Sequence, residues 1–414
     1  MNPLHQQFAE EYGTPFYSYD LGTVRNRASE LATVLPETAN PRLLYSFKAN
    51  PLPAVAGELR AFGCKADLTS TGEILAAREA GFDLSTALYG GPGKSKLELG
   101  EALGAGIRHF SIESWNDLRL LGDLARQHEV KVVGLLRVNP EEPPKARVAM
   151  AGVASQFGFE EADLVSLQAK TRIAAYSDVI DYSGFHIYWG TQVGDVEALA
   201  ASFESAVKTA ESLSDKTGIP LKILNLGGGF PWPYAHRGEG PDLSGLQRNL
   251  ASIHANATTA REAQWWVESG RYLVGSSGTL VCRVMDLKHS KDRSFVVLDS
   301  GINHLGGMAG LGRIPRFSID LIPEIDRGGE ETVDVVGQLC TPLDCIGRNL
   351  KITELKVGDL VEIPNVGAYG LTASVTGFLS RPTPLEIAHR EGEVESIHRL
   401  RTGHESIPVK VPQP

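Results

Sequence analysis

A chain of 414 residues is too long for a single compact core and implies two domains. Hydrophobic residues make up 42% and charged residues 22%, the composition of an ordinary globular protein. The formal net charge of −10 argues against a general nucleic-acid or anionic-membrane binder, whose phosphates demand clustered Lys and Arg. It leaves room for a local basic patch or a small anionic ligand.

The first 13 residues, MNPLHQQFAEEYG, lack the basic start and apolar run of a signal peptide. Cys64, Cys282, Cys340 and Cys345 are too few and too scattered for a disulfide framework, and the last two are not spaced as a CxxC pair. A cytoplasmic setting is the expectation. No apolar stretch approaches the roughly 20 residues of a membrane span.

In chain order, Thr14–Tyr19 alternates and reads as a strand, and Val24–Leu35 as a helix. Leu43–Phe47 is a short apolar strand ending at Lys48. Helices at Pro53–Phe62, Gly72–Ala80, Leu97–Ala105 and Trp115–Gln127 then alternate with strands at Cys64–Leu68, Thr86–Tyr89, His109–Ile112 and Val130–Val138. Further strands follow at Ser183–Tyr188, Lys222–Leu226 and Trp265–Val267. Strand–helix alternation at this pitch predicts parallel β/α units in a barrel of about 250 residues. After Gly270 the texture turns all-β, with strands at Val281–Leu287, Ser294–Leu298, Thr332–Val336, Leu360–Ile363 and Pro384–His389. The expected division is a (β/α)8 barrel over 25–275, a β-rich domain over 1–24 and 276–400, and a poorly ordered tail over 401–414.

Five constellations carry chemistry, and four of them lie at barrel strand ends, where barrel enzymes build their sites. Lys48, in Tyr45-Ser46-Phe47-Lys48-Ala49-Asn50, follows an apolar strand, and partial desolvation there favours imine formation with an aldehyde. Gly227, Gly228 and Gly229 let backbone N–H groups approach a phosphate closely. Glu268, after another strand, suits a pyridinium nitrogen, and the adjoining Gly270 and Arg271 suit phosphate. His186 and Tyr188 are expected on one strand face, where a ring could stack on a flat cofactor and Thr191 could reach its phosphate. The fifth is Cys340-Thr341-Pro342-Leu343-Asp344, with Gly367-Ala368-Tyr369 beyond it. Taken singly, each also has a plain structural reading: a solvated lysine, a tight turn, a surface ion pair, a buried aromatic strand or a β-domain loop.

Together and in this order the motifs resemble the fold-type III decarboxylases that use pyridoxal-5′-phosphate (PLP), the group of diaminopimelate, ornithine and arginine decarboxylases. The resemblance spans roughly residues 10–395 and includes Asp67 and Glu73 in DLTSTGE, Arg137 in RVNP, and Gln156-Phe157-Gly158. It implies an α/β fold, a TIM-like barrel of the alanine racemase-like kind plus a C-terminal all-β domain that includes the N-terminal strand. It implies that Lys48 carries the cofactor, with Asp67, Arg137 and Tyr188 around it and Glu268 on the pyridine nitrogen. Gly227–Gly229, Gly270, Arg271, Thr191 and Tyr369 are then the phosphate ligands. It further implies a homodimer in which Cys340 of one subunit protonates the carbanion in the other's site, with His186, Thr341 and Asp344 toward substrate.

Two departures stand out. Tyr188 occupies the position where the amino-acid decarboxylases stack a His. Thr341 follows Cys340 where diaminopimelate and ornithine decarboxylases carry an acidic residue for the substrate's far amino group. A neutral hydroxyl does not balance a desolvated ammonium. The runs Gly91-Pro92-Gly93-Lys94, Leu339-Cys340-Thr341-Pro342 and Gly367-Ala368-Tyr369-Gly370-Leu371 look like antibiotic-pathway decarboxylases that act on an aminoacyl group tethered to an acyl carrier protein. The glutamyl-carrier decarboxylase of the butirosin pathway is an example. An acidic carrier would need a basic patch, and Lys94 with Lys96, or Lys145 with Arg147, are the candidates. The rivals are a decarboxylase of a free amino acid such as diaminopimelate, a racemase on the same fold, and a catalytically dead regulator.

Overall fold

The computed structural model describes residues 1–140, 154–306 and 318–407. Lys145, Arg147 and the end of the expected tail lie outside them. The chain divides into two units: Leu21–Pro233 with Gly238–Ser277, and Met1–Asp20 with Tyr234–Arg237 and Gly278–Pro414.

The first unit is a closed parallel barrel. Its eight strands in chain order are Arg42–Ser46, Lys65–Leu68, Leu88–Tyr89, His109–Ile112, Val132–Asn139, Ile180–Ile187, Ile223–Asn225 and Gln264–Ser269. Each pairs in parallel with its neighbours, and the eighth pairs with the first to close the ring. Leu44, Leu88 and Leu135 pack with Trp266, and Ile223 packs against them. Leu44, Leu88, Leu135 and Ile223 come from the first, third, fifth and seventh strands, the layered filling of a (β/α)8 interior. The barrel is therefore solid below its mouth.

The helices that follow the second, third and fourth strands start on one pattern. Ser70, Ser95 and Ser114 accept from the backbone N–H of Glu73, Glu98 and Asp117, three residues on. This S-x-x-[DE] signal satisfies orphan N–H groups of each first turn and stops the strand at the same level. The three acidic side chains are thereby delivered close to the strand ends.

The second unit is a nine-stranded sheet. The N-terminal strand Phe16–Asp20 lies between Gly278–Ser290, antiparallel, and Leu385–Arg390, parallel. A helix at Pro3–Tyr12, capped by Asn2, packs Phe8 and Ala9 on Phe16, Val281 and Ile387. That helix, and the strands Cys345–Ile352 and Glu393–Arg399, were not foreseen from the sequence. No helix among the described residues is long and apolar enough to cross a membrane.

Candidate active site

The first strand ends in a single 3-10 turn, Phe47–Ala49, which buries Phe47 and Ala49 and leaves Lys48 exposed. Tyr45 anchors the turn by donating to the Asn50 carbonyl at 2.5 Å. Gly270, at the end of the eighth strand, approaches this turn so closely that a Cβ on it would stand 2.7 Å from the Ala49 Cβ. Next to Lys48, Ser46 donates to Asp67 Oδ2 at 2.7 Å.

Two carboxyl groups here resist ionising. Burial, then the nearby Glu268 charge, pushes Asp67 up to about 7, against the pull of Lys48, Ser46 and Arg137. Glu73 is also pushed up to about 7, chiefly by burial, although Thr69 donates to it through N–H and hydroxyl. Lys48 is the cation that draws on both.

The glycine run is fixed by close approach. Gly227 has φ +65°, and a Cβ on it would lie 2.5 Å from the Tyr188 ring. A Cβ on Gly228 would lie 2.2 Å from the Glu268 carbonyl oxygen, and one on Gly229 would lie 3.0 Å from the Gly190 carbonyl oxygen. Asn225 ties this run to the eighth strand: its Oδ1 accepts from Gly227 N at 2.9 Å and its Nδ2 donates to Glu268 Oε1 at 2.7 Å. Val193 N donates to the Gly229 carbonyl at 3.0 Å, which seats the half-buried Thr191 loop beside the glycines.

The wall between the fourth and sixth strands holds a chain of buried charge. Arg137 pairs with Glu113 at 2.8 Å, and its guanidinium lies 4.7 Å from the Phe157 ring centroid and 6.0 Å from that of Tyr188. Lys94 pairs with Asp117 at 2.5 Å, with side chains 4% and 8% exposed. A lysine so enclosed offers no charge to a docking partner, which removes Lys94 from the candidate patch; Lys96, two residues on, is exposed. This pair is not legible in the sequence, because the lysine stands in a Gly-rich turn and its partner follows 23 residues later.

His186 is buried, with Nδ1 2.8 Å from Ser111 Oγ and Nε2 3.3 Å from Glu268 Oε1. Its strand ends at Ile187, so Tyr188 begins the following loop, half-buried. Burial and the Arg137 charge hold the His186 imidazole well below the ordinary histidine range.

Lys48, Asp67, Arg137, His186, Tyr188, Thr191, Gly227–Gly229, Glu268, Gly270 and Arg271 thus all belong to the barrel unit. Cys340, Thr341, Asp344 and Tyr369 belong to the β-rich unit. Cys340 is exposed. Tyr369 has φ +54°, and its carbonyl accepts from the Tyr234 hydroxyl at 2.8 Å. Asp344, expected toward substrate, is 3% exposed and has both oxygens engaged by backbone. Its Oδ1 accepts from Ile302 N at 2.8 Å and its Oδ2 from Leu339 N at 2.7 Å, so it clasps the loop that carries Cys340.

Residues 21–275 match the family described as pyridoxal-dependent decarboxylase, pyridoxal binding domain. The chain belongs to this family. It is 32% identical over 408 residues to the L-glutamyl-[BtrI acyl-carrier protein] decarboxylase of Niallia circulans, covering 96% of this chain and 94% of that one. It is 28% identical to the diaminopimelate decarboxylase of Aquifex aeolicus, covering 95% and 91%. Among solved structures, it is similar to diaminopimelate decarboxylase of Helicobacter pylori complexed with L-lysine, with TM-score 0.80, 25% identity and 95% of each chain covered. The protein is a PLP-dependent decarboxylase with a TIM barrel and a β domain. Its own residues fit that cofactor. A lysine follows the first strand, the glycine run leaves no room for a Cβ, and Glu268 keeps both its close polar contacts on Oε1. Its other oxygen would be available to the cofactor's ring N–H.

Proposed function

We propose that this decarboxylase removes the α-carboxylate of an acidic aminoacyl group, glutamyl, aspartyl or 3-methylaspartyl, carried as a thioester on an acyl carrier protein. The loop Cys340–Asp344 carries the reading. A substrate with a free distal ammonium needs a counter-charge where it is desolvated. Thr341 offers a hydroxyl, and Asp344, the one carboxylate of that run, has both oxygens on backbone N–H groups. A thioester at the side-chain carboxyl makes the distal end neutral, in agreement with this loop. The name of the Niallia circulans relative points the same way. The diaminopimelate decarboxylases among the relatives favour a second reading, decarboxylation of a free amino acid such as diaminopimelate.

Bound PLP supplies the electron sink for the pair left at Cα when CO2 departs. The protein's share is to bind, orient and move protons. Lys48 Nζ holds the cofactor and takes it back at the end of turnover. Glu268 keeps the ring nitrogen protonated. Gly227–Gly229, Gly270, Arg271 and Thr191 hold the phosphate through backbone N–H groups, the guanidinium and the hydroxyl. Tyr188 covers the ring, beside Arg137 and Asp67. Cys340, reaching the site of a partner copy, donates the proton to Cα in a homodimer. The barrel unit is on this reading the PLP-binding domain.

The test is mass spectrometry of glutamyl- and aspartyl-carrier proteins, and of free glutamate, aspartate and diaminopimelate, each incubated with enzyme and PLP. Loss of CO2 from the carrier-bound set is the expected result. Loss from the free set alone overturns it. Lys96→Glu is expected to raise KM for carrier substrate and to spare a short pantetheine mimic.

A further inference from the structure

Ser111, His186 and Glu268 form a line of buried polar side chains, and the geometry points to His186 as a positioning residue for that carboxylate. The inference rests on the reading of Glu268 as the partner of the cofactor's ring nitrogen.

The three residues come from three strands. Ser111 lies on the fourth, His186 near the end of the sixth and Glu268 on the eighth. Ser111 is fully enclosed, His186 is 4% exposed and Glu268 is 6% exposed. Water is therefore a poor substitute for any contact among them. His186 Nδ1 sits 2.8 Å from Ser111 Oγ. His186 Nε2 is buried and makes no well-formed hydrogen bond, and the polar atom facing it is Glu268 Oε1 at 3.3 Å. Asn225 Nδ2 donates to the same Oε1 at 2.7 Å.

The imidazole has one proton to place. Burial and the cations Arg137, Lys48 and Lys94 that face it keep it neutral, against the opposing pull of the Glu113 anion. Asp67 is the further charged group acting on Glu268. A neutral imidazole donates from one nitrogen and accepts at the other. A carboxylate only accepts, whereas the Ser111 hydroxyl does either. With the proton on Nε2, the ring donates to Glu268 and accepts from Ser111. With the proton on Nδ1, a lone pair on Nε2 faces a carboxylate oxygen 3.3 Å away inside a dry wall. The carboxylate thus selects the Nε2–H tautomer, Ser111 supports it by donating to Nδ1, and two neutral donors, His186 and Asn225, face Oε1. Charge-free donors stabilise the ionised carboxylate without cancelling its charge. The carboxylate is then turned so that Oε2 is available to the ring N–H.

His186 acts through another residue, so activity alone does not test it. The readout is the 15N chemical shift of ring-labelled PLP in the holoenzyme, followed from pH 6 to 9, with PLP affinity measured alongside. Wild type is expected to keep the protonated-ring shift throughout. His186→Leu is expected to let the ring nitrogen titrate at least about one pH unit lower, the size of one lost hydrogen bond to a charged group. It should also cut kcat about 10-fold or more and change KM little. His186→Gln, which restores a neutral donor, is expected to move the shift back toward wild type. Ser111→Ala, which removes the support at Nδ1, is expected to move it in the direction of His186→Leu, and stands in for that variant if it does not fold. A wild-type shift profile in both His186→Leu and Ser111→Ala, with Glu268→Gln altered, overturns the inference and leaves the role of Glu268 intact. A wild-type profile in Glu268→Gln overturns that role and this inference with it.

Discussion

Glu268 at the end of the eighth barrel strand and Asp344 in the β-rich unit are both buried carboxylates, and they are used in opposite ways. Asp344 divides its two oxygens between the N–H groups of Ile302 and Leu339, and glycines at 301 and 337 leave it room, since a Cβ on either would stand 2.1 or 2.4 Å from its carboxylate. Glu268 gathers Asn225 and His186 on one oxygen. A carboxylate saturated by backbone fixes a loop, while one held from a single side is kept for something that arrives. Burial alone does not separate the two cases; the count of partners on each oxygen does.

The largest expected effect is at Lys48. Lys48→Ala is expected to lower kcat by more than about 10³-fold and to abolish the borohydride-reducible covalent PLP adduct, read by absorbance and intact mass. Retention of that adduct would remove Lys48 from its role. Cys340→Ala comes next, with an expected loss of about 10²–10⁴-fold, the usual share of a proton donor. When Lys48→Ala and Cys340→Ala chains are mixed and subunit exchange is verified, mixed dimers are expected to regain activity. Absence of recovery would contradict a site shared between copies.

The next pair sharpens the comparison directly. Asp344→Asn leaves one of the two loop N–H groups facing an amide NH2 that cannot accept, and is expected to cost about 1.5–3 kcal/mol in unfolding experiments while PLP affinity stays near wild type. Glu268→Gln should do the reverse, holding its melting temperature within a few degrees and losing kcat. Equal losses of stability in both would dissolve the distinction.

The motifs assigned to the cofactor were legible because each is local: an apolar strand followed at once by Lys48, by Gly227–Gly229 or by Glu268. Strand–helix alternation located the barrel to within a few residues at most ends. What stayed hidden depends on partners distant in sequence. Lys94 read as part of a basic docking patch, with no sign of its partner Asp117, and the backbone partners of Asp344, at Ile302 and Leu339, were equally out of view. The strand Glu393–Arg399 was missed because its residues alternate between exposed and half-buried and never bury an apolar face, so pairing rather than hydrophobicity makes it a strand. The N-terminal helix was missed for a similar reason: only His5, Phe8 and Ala9 of its ten residues are buried.

The smallest effect concerns pH. Asp67, raised to about 7, keeps in the folded chain a proton that the unfolded chain loses near pH 4. The folded state binds more protons across that window, so its stability falls as pH rises from about 4 to about 7 and then levels. Asp67→Asn is expected to remove this share, so the melting temperature of the cofactor-free variant should gain on wild type between pH 5 and 8. A constant difference across that range would place the Asp67 proton elsewhere.

The central claim is that the distal end of the substrate is neutral because it is a carrier thioester. Measuring kcat/KM for glutamyl- or aspartyl-carrier protein against the same free amino acid and against diaminopimelate, in one buffer, tests it most directly. A preference for the carrier substrate of at least about 100-fold is expected, since remote carrier and pantetheine contacts add binding energy that orients the reacting centre. Comparable values for the free amino acid, or faster turnover of diaminopimelate, would contradict it.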